Sequence, residues 1–127
     1  NAINWNVSSG YGAVSNLHKG ILFGFASDYT SGTLTNLYAG NYAVDWMVSY
    51  SESAGSALIE YAVLTNGVEM TAGGHAFRDV SSTAYGVAAS GCMLYLPANT
   101  SVQIGLEYIT GSGGGIVTNA NLRIHKL

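Results

Sequence analysis

The side chains of this chain that could do chemistry are three histidines (His18, His75, His125), seven carboxylates (Asp28, Asp45, Glu52, Glu60, Glu69, Asp79, Glu107), one cysteine and a scatter of serines. Structural zinc sites draw His and Cys from short, recurrent spacings that set several ligands on one hairpin or turn. Here the histidines lie on three separate segments without such neighbours, so spacing alone gives no metal site. No Asp-x-Asp-x-Asp run with a glycine announces calcium. Two carboxylates could in principle cleave a glycosidic bond, but any two of seven scattered acids meet that condition, which empties it of content. No G-x-S-x-G elbow raises a serine for attack, and "GSGGG" at 111–115 lacks the Gly-Lys-Ser/Thr ending of a phosphate loop. The sequence therefore assigns no catalytic residue, no cofactor and no metal, and a non-enzymatic protein is expected.

Aromatic side chains are the remaining asset. Tyrosines can stack on sugar rings, which makes Tyr11, Tyr29, Tyr38 and Tyr85 candidates for a ligand platform, Tyr11 and Tyr85 foremost. The same residues could equally pack beneath loops or between subunits. Trp5, near the start of the chain, is an anchor of the type that dominates protein interfaces.

These residues need elements to position them, and the stretch "GNYAVDW" at 40–46 shows which kind. Tyr42, Val44, Trp46, Val48 and Tyr50 recur with a period of two, the mark of a strand with one buried face. The opposite face reads Ala43, Asp45, Met47 and Ser49, which is small and nearly uncharged. Helical spacing is nearly absent elsewhere, and strands are expected at 3–7, 12–17, 20–26, 33–37, 41–50, 56–65, 68–71, 75–79, 84–88, 91–96, 101–109 and 116–126. Asn66-Gly67 in "VLTNGVEM" carries two residues that tolerate positive φ, as a tight hairpin requires. A second hairpin is expected where "GSGGG" joins a strand ending near Ile109 to one starting at Ile116. "SGC" at 90–92 reads as turn chemistry, and Pro97 closes the strand "CMLYL". The result is an all-β, two-sheet antiparallel sandwich in a single domain, 1–127.

Composition narrows the function classes. Only 9% of residues are charged while 48% are apolar, against about 25% charged in ordinary soluble domains. Nine tyrosines and the β-branched residues exclude disorder, and no apolar run reaches the length of a spanning helix, so membrane insertion is not expected. Four basic residues and a net charge of −3 exclude nucleic acid as a main partner. Cys92 is single, which rules out an intrachain disulfide, and its apolar run marks a buried, inert thiol. A subunit covered in part by copies of itself fits this composition.

The order of "GNYAVDWMVSY", the hairpin "YAVLTNGVEM", then "GVAASGCMLYLPANTSVQIGLEY" and a closing "NANLRIHKL" resembles the tumour necrosis factor/complement C-one-q jelly roll. The residues that carry the resemblance are Gly40, Tyr42, Val44 and Trp46; Asn66-Gly67; Ser90-Gly91 with Leu94 and Leu96; and Val102 with Ile104. It covers residues 34–127, with 1–33 adding opening strands and an N-terminal attachment segment around Trp5. Where the family usually has Gly-Asp before its penultimate strand, this chain has "PANTS" at 97–101. The closing strand is more similar to microbial and bacteriophage members.

The resemblance implies a homotrimer serving on a particle surface. Its partners would be a major capsid protein or tail-appendage proteins, its place the virion surface, and its trimer contact the face of Ala43, Asp45 and Met47. The alternative is a carbohydrate- or receptor-binding adhesin tip, of a tail fibre or a spore or secreted module, that grips host-surface glycan through loop tyrosines.

Overall fold

The computed structural model describes residues 3–7, 12–13, 25–28, 33–54, 57–70, 73–80, 84–111 and 113–127, with side chains at 33–51, 57–70, 73–80, 85–107, 109–111 and 119–127. The strands, in chain order, are β1 (Ile3–Val7), β2 (Gly12–Ala13), β3 (Phe25–Asp28), β4 (Thr33–Asn36), β5 (Gly40–Ala54), β6 (Ala57–Thr65), β7 (Val68–Glu69), β8 (Ala76–Val80), β9 (Ala84–Leu96), β10 (Ser101–Thr110) and β11 (Gly113–Lys126). There is no helix among the described residues, and hence none long and apolar enough to cross a membrane.

Two antiparallel sheets face each other. The smaller runs β1-β11-β5-β9; the larger runs β3-β4-β10-β6-β7, with β2 beside β10 and β8 beside β6. The period of two in β5 sends Tyr42, Val44, Trp46, Val48 and Tyr50 into the space between the sheets, and all five are buried. They meet Ile59, Tyr61 and Val63 of β6 and Val102, Ile104 and Leu106 of β10, which alternate in the same way. Each such burial contributes about 1.5–3 kcal/mol. Trp46 and Tyr50 lie 6.0 and 5.9 Å from the Tyr61 ring, and the Trp46 indole N–H donates to the Gly74 carbonyl at 2.9 Å. The all-β sandwich expected from periodicity is the architecture observed.

Asn66 and Gly67 adopt φ of 50° and 78°, and Thr65 pairs with Val68 across the turn. Three details depart from the expectations. Strands 84–88 and 91–96 are one strand, β9, because Ser90-Gly91 is not a turn: a Cβ at Gly91 would stand 3.1 Å from the Val44 carbonyl oxygen, so glycine lets the two strands run close. The glycines of "GSGGG" are mostly strand: Gly113, Gly114 and Gly115 pair with β1 on one side and β5 on the other. Consequently β10 and β11 do not form a hairpin; the chain leaves the larger sheet at Thr110 and enters the smaller at Gly113.

The turn after Pro97 is fastened by a residue no pattern singles out. Asn36, fully buried, donates through Nδ2 to the Pro97 and Tyr38 carbonyls at 2.8 and 2.9 Å, and its Oδ1 accepts the Thr100 N–H at 2.7 Å. Replacing Asn36 by Ala removes the acceptor of the buried Thr100 N–H, which costs about 1–3 kcal/mol when unpaired, while the Tyr38 and Pro97 carbonyls keep the Tyr42 and Thr100 hydroxyls as donors. Urea denaturation of Asn36→Ala should show a loss of about 2 kcal/mol, whereas a loss below about 0.5 kcal/mol would mean that water replaces the network.

Candidate functional site

The outward residues of the smaller sheet are fixed by register. Ser49, Met47, Asp45 and Ala43 of β5 lie opposite Val87, Ala89, Gly91 and Met93 of β9, and opposite Asn119, Asn121, Arg123 and His125 of β11. β9 therefore presents an unbroken apolar row, in which Tyr85, Val87, Met93 and Tyr95 are 82%, 48%, 76% and 62% exposed. Alternation is the cause: Ala88 and Leu96 fill the core from the same strand, so its bulky odd-numbered residues can only face outward. The lone charge in "GNYAVDW" is answered across the ladder, where Arg123 donates through Nε and Nη2 to Asp45 Oδ2, both at 3.1 Å. That ion pair is open to water and contributes at most about 1 kcal/mol. Among the described side chains it neutralises the only charges in the centre of a face otherwise built from apolar, amide and hydroxyl groups.

Among the described residues β9 is also the edge of its sheet, and its backbone is blunted at one point. Arg78 of β8 reaches over to donate from Nε and Nη2 to the Val87 carbonyl at 2.9 and 2.7 Å. A further strand adding at the edge would have to displace that guanidinium.

A second constellation lies on the other sheet. Glu60 sits on the outward side of β6 yet is buried, inside the run "ALIEYAVLT". A carboxylate removed from water needs a partner, and His75 supplies it. The His75 Nδ1 donates to Glu60 Oε1, its Nε2 donates to the Met70 carbonyl at 2.6 Å, and Glu69 Oε1 stands 3.4 Å from Nδ1. Phe77 stacks on the imidazole with centroids 6.5 Å apart, and Glu107 of β10 lies opposite Glu60 in register. Burial pulls the His75 pKa down, but the hydrogen bonds to Glu60 and Met70 and the charges of Glu60 and Glu69 outweigh it and hold it above 6.5. With acceptors at both nitrogens, the ring is satisfied as the imidazolium.

The residues singled out in the sequence are dispersed. Ala43, Asp45 and Met47 share the smaller sheet's outer face, as alternation required, and Tyr85 joins them there from a strand and not from a loop. Trp5 is in β1, paired with Gly115, so the N-terminal segment is an edge strand; its side chain lies outside the described residues, as do Tyr11 and Tyr29. Tyr38 is exposed beside the Asn36 network, and Cys92 is half-buried, its thiol pushed up by desolvation. Spacing missed the Glu60-Glu69-His75 group because the ladders of β6 with β7 and β8 assemble it. The available signal was the lone Glu in an apolar run, which demands a buried partner.

No family model and no curated protein matches the chain. Among solved structures it is similar to that of Eiger TNF from S. frugiperda, at 14% identity over 99% of this chain and 92% of that one, with a TM-score of 0.55. The fold is TNF-like. At this identity the likeness is one of architecture, two packed antiparallel sheets, and does not extend to function.

The His75 pairing sets a pH dependence. A group whose pKa is raised on folding adds stability that is whole below its unfolded pKa and is lost as pH rises through the folded one. With chelator present, stability measured between pH 6 and 8 should fall more steeply for the parent than for His75→Gln. Parallel curves would show that His75 is not held charged by Glu60.

Proposed function

We propose that the chain is a non-enzymatic structural module of a virion surface, phage in origin, that assembles as a homotrimer through the outer face of β5 and β9. The observation that carries this is the exposed apolar row of β9 flanked by Ala43 and Met47, with the central charges of Asp45 and Arg123 already paired to each other. Contiguous apolar patches of this kind mark interaction sites, and obligate interfaces resemble a core cut in half. A copy of the same chain is favoured as occupant because the face is depleted in charge, as interface centres are, and because the edge beside it is blocked at Val87. The sequence resemblance to trimeric jelly rolls, and the phage-like ending "LRIHKL", support the assembly and the particle surface.

An adhesin would need polar groups around its stacking aromatics to grip sugar hydroxyls. Along β9, Tyr85 and Tyr95 are joined by Val87, Ala89 and Met93 instead, and polar partners, Ser51 and Asn41 of β5, lie opposite them only at the two ends of the row. Capsid protein or tail-appendage protein is then the partner of the finished trimer, met at a rim.

Met93 is solvent-exposed in the single chain, so Met93→Glu should change the stability of the monomer by less than about 0.5 kcal/mol. In the trimer it would bury an unpaired charge, at a cost of about 3–5 kcal/mol and hence at least 100-fold in the assembly constant. Native mass measurement at micromolar concentration should give trimer for the parent and monomer for the variant. A monomeric parent refutes the assembly. The trimer should bind empty shells and not dissociated subunits, by avidity, and binding to host-surface glycan alone would replace the structural role with an adhesin's.

A further inference from the structure

We infer that Glu60, Glu69 and His75 form a binding site for one divalent transition-metal ion, with His75 Nδ1 and one oxygen of each carboxylate as ligands. The three ligand atoms already lie within 4.8 Å of one another. Three-ligand zinc sites take metal–nitrogen and metal–oxygen bonds of about 2.0–2.2 Å, which place tetrahedral ligands roughly 3.3–3.5 Å apart. The separation of His75 Nδ1 from Glu69 Oε1, 3.4 Å, is already of that size. Glu60 is closer because it accepts the Nδ1 proton, and loss of that proton to make room for a metal lets the pair part by a small side-chain rotation.

The other nitrogen carries the stronger argument. Metal-bound imidazoles donate their remaining N–H to a carbonyl or carboxylate, which fixes ring and tautomer. His75 Nε2 does this at 2.6 Å from the Met70 carbonyl, so Nδ1 is the nitrogen aimed at both acids. Glu60 is a buried carboxylate pointed into the group, with its side chain only 8% exposed. Glu69 is a third exposed, which leaves an opening through which an ion could enter and a water could fill the fourth position.

Charge and ligand type choose the ion. Glu60 and Glu69 set two carboxylates beside a single imidazole, an excess of negative charge that favours a dication. One imidazole with two carboxylates suits zinc and its transition-metal neighbours better than calcium, which takes six or more oxygens. Metal and proton compete for the same nitrogen, so binding must release a proton. A bound ion would tie β6, β7 and the entry to β8 together. The site lies on the larger sheet, away from the proposed trimer face, and stands or falls independently of it.

The test uses the full chain stripped with chelator and titrated calorimetrically with Zn²⁺, and separately with Ca²⁺, at pH 6 in two buffers of different ionisation enthalpy. Expected are about one Zn²⁺ per chain with proton release, calcium binding at least about tenfold weaker, and a raised Tm with zinc. Cobalt in place of zinc should give visible absorption of a low-coordinate site. His75→Asn should abolish this binding and Glu69→Gln weaken it at least about tenfold; Glu69 is partly exposed, so that variant keeps the fold even if the other does not. The site is overturned if the parent takes up no zinc, or if Glu69→Gln binds as the parent does.

Discussion

Trp46 is the side chain on which both sheets close. It leaves the smaller sheet at β5, lies 6.0 Å from Tyr61 of the larger, and is 3% exposed. An indole N–H so far from water must find an acceptor, and it finds the Gly74 carbonyl. That single bond fixes residue 74 against the core, and the next residue is His75. The loop position that satisfies the tryptophan therefore also delivers the imidazole over Glu60. On the other side of β5, placing Trp46 inward forces Asp45 and Met47 outward, so the same constraint shapes the exposed face.

Much of this was legible in the sequence. Alternation along 41–50 gave the inward residues of β5, because a one-residue slip would expose all of them at once. Asn66-Gly67 gave its turn because few residues other than these accept positive φ in succession. Glycines misled elsewhere: Gly91 and Gly113 to Gly115 signal a turn when read locally, but they sit inside strands, the first where β9 runs against the Val44 carbonyl. Local rules see a missing side chain as freedom, while the sheet uses it as clearance. Two polar groups were invisible for another reason. Asn36 and His75 act on residues 61 and 15 positions away, and such contacts follow from the pairing of strands and not from spacing along the chain.

The two sheets divide the chain's scarce charge in a telling manner. Among the described side chains the smaller sheet's centre holds one ion pair, Asp45 with Arg123, and is otherwise apolar, amide or hydroxyl. The larger gathers Glu60 and Glu69 around one histidine. A face without net charge suits close approach of another copy, and a cluster with excess negative charge suits a cation. With only 9% charged residues, solubility of a free monomer would rest on hydroxyls and amides; covering β9 relieves that demand.

The central claim is that the outer face of β9 and β5 is covered by other copies of the chain. Oxidative footprinting read by mass spectrometry tests it side chain by side chain, since Met93 and Tyr95 are exposed in the single chain, as is Phe77 on the opposite sheet. Upon raising the protein concentration from nanomolar to tens of micromolar, Met93 and Tyr95 should become protected together while Phe77 keeps its rate. Oxidation of Met93 at an unchanged, fully exposed rate across that range, or protection confined to Phe77, would contradict the account.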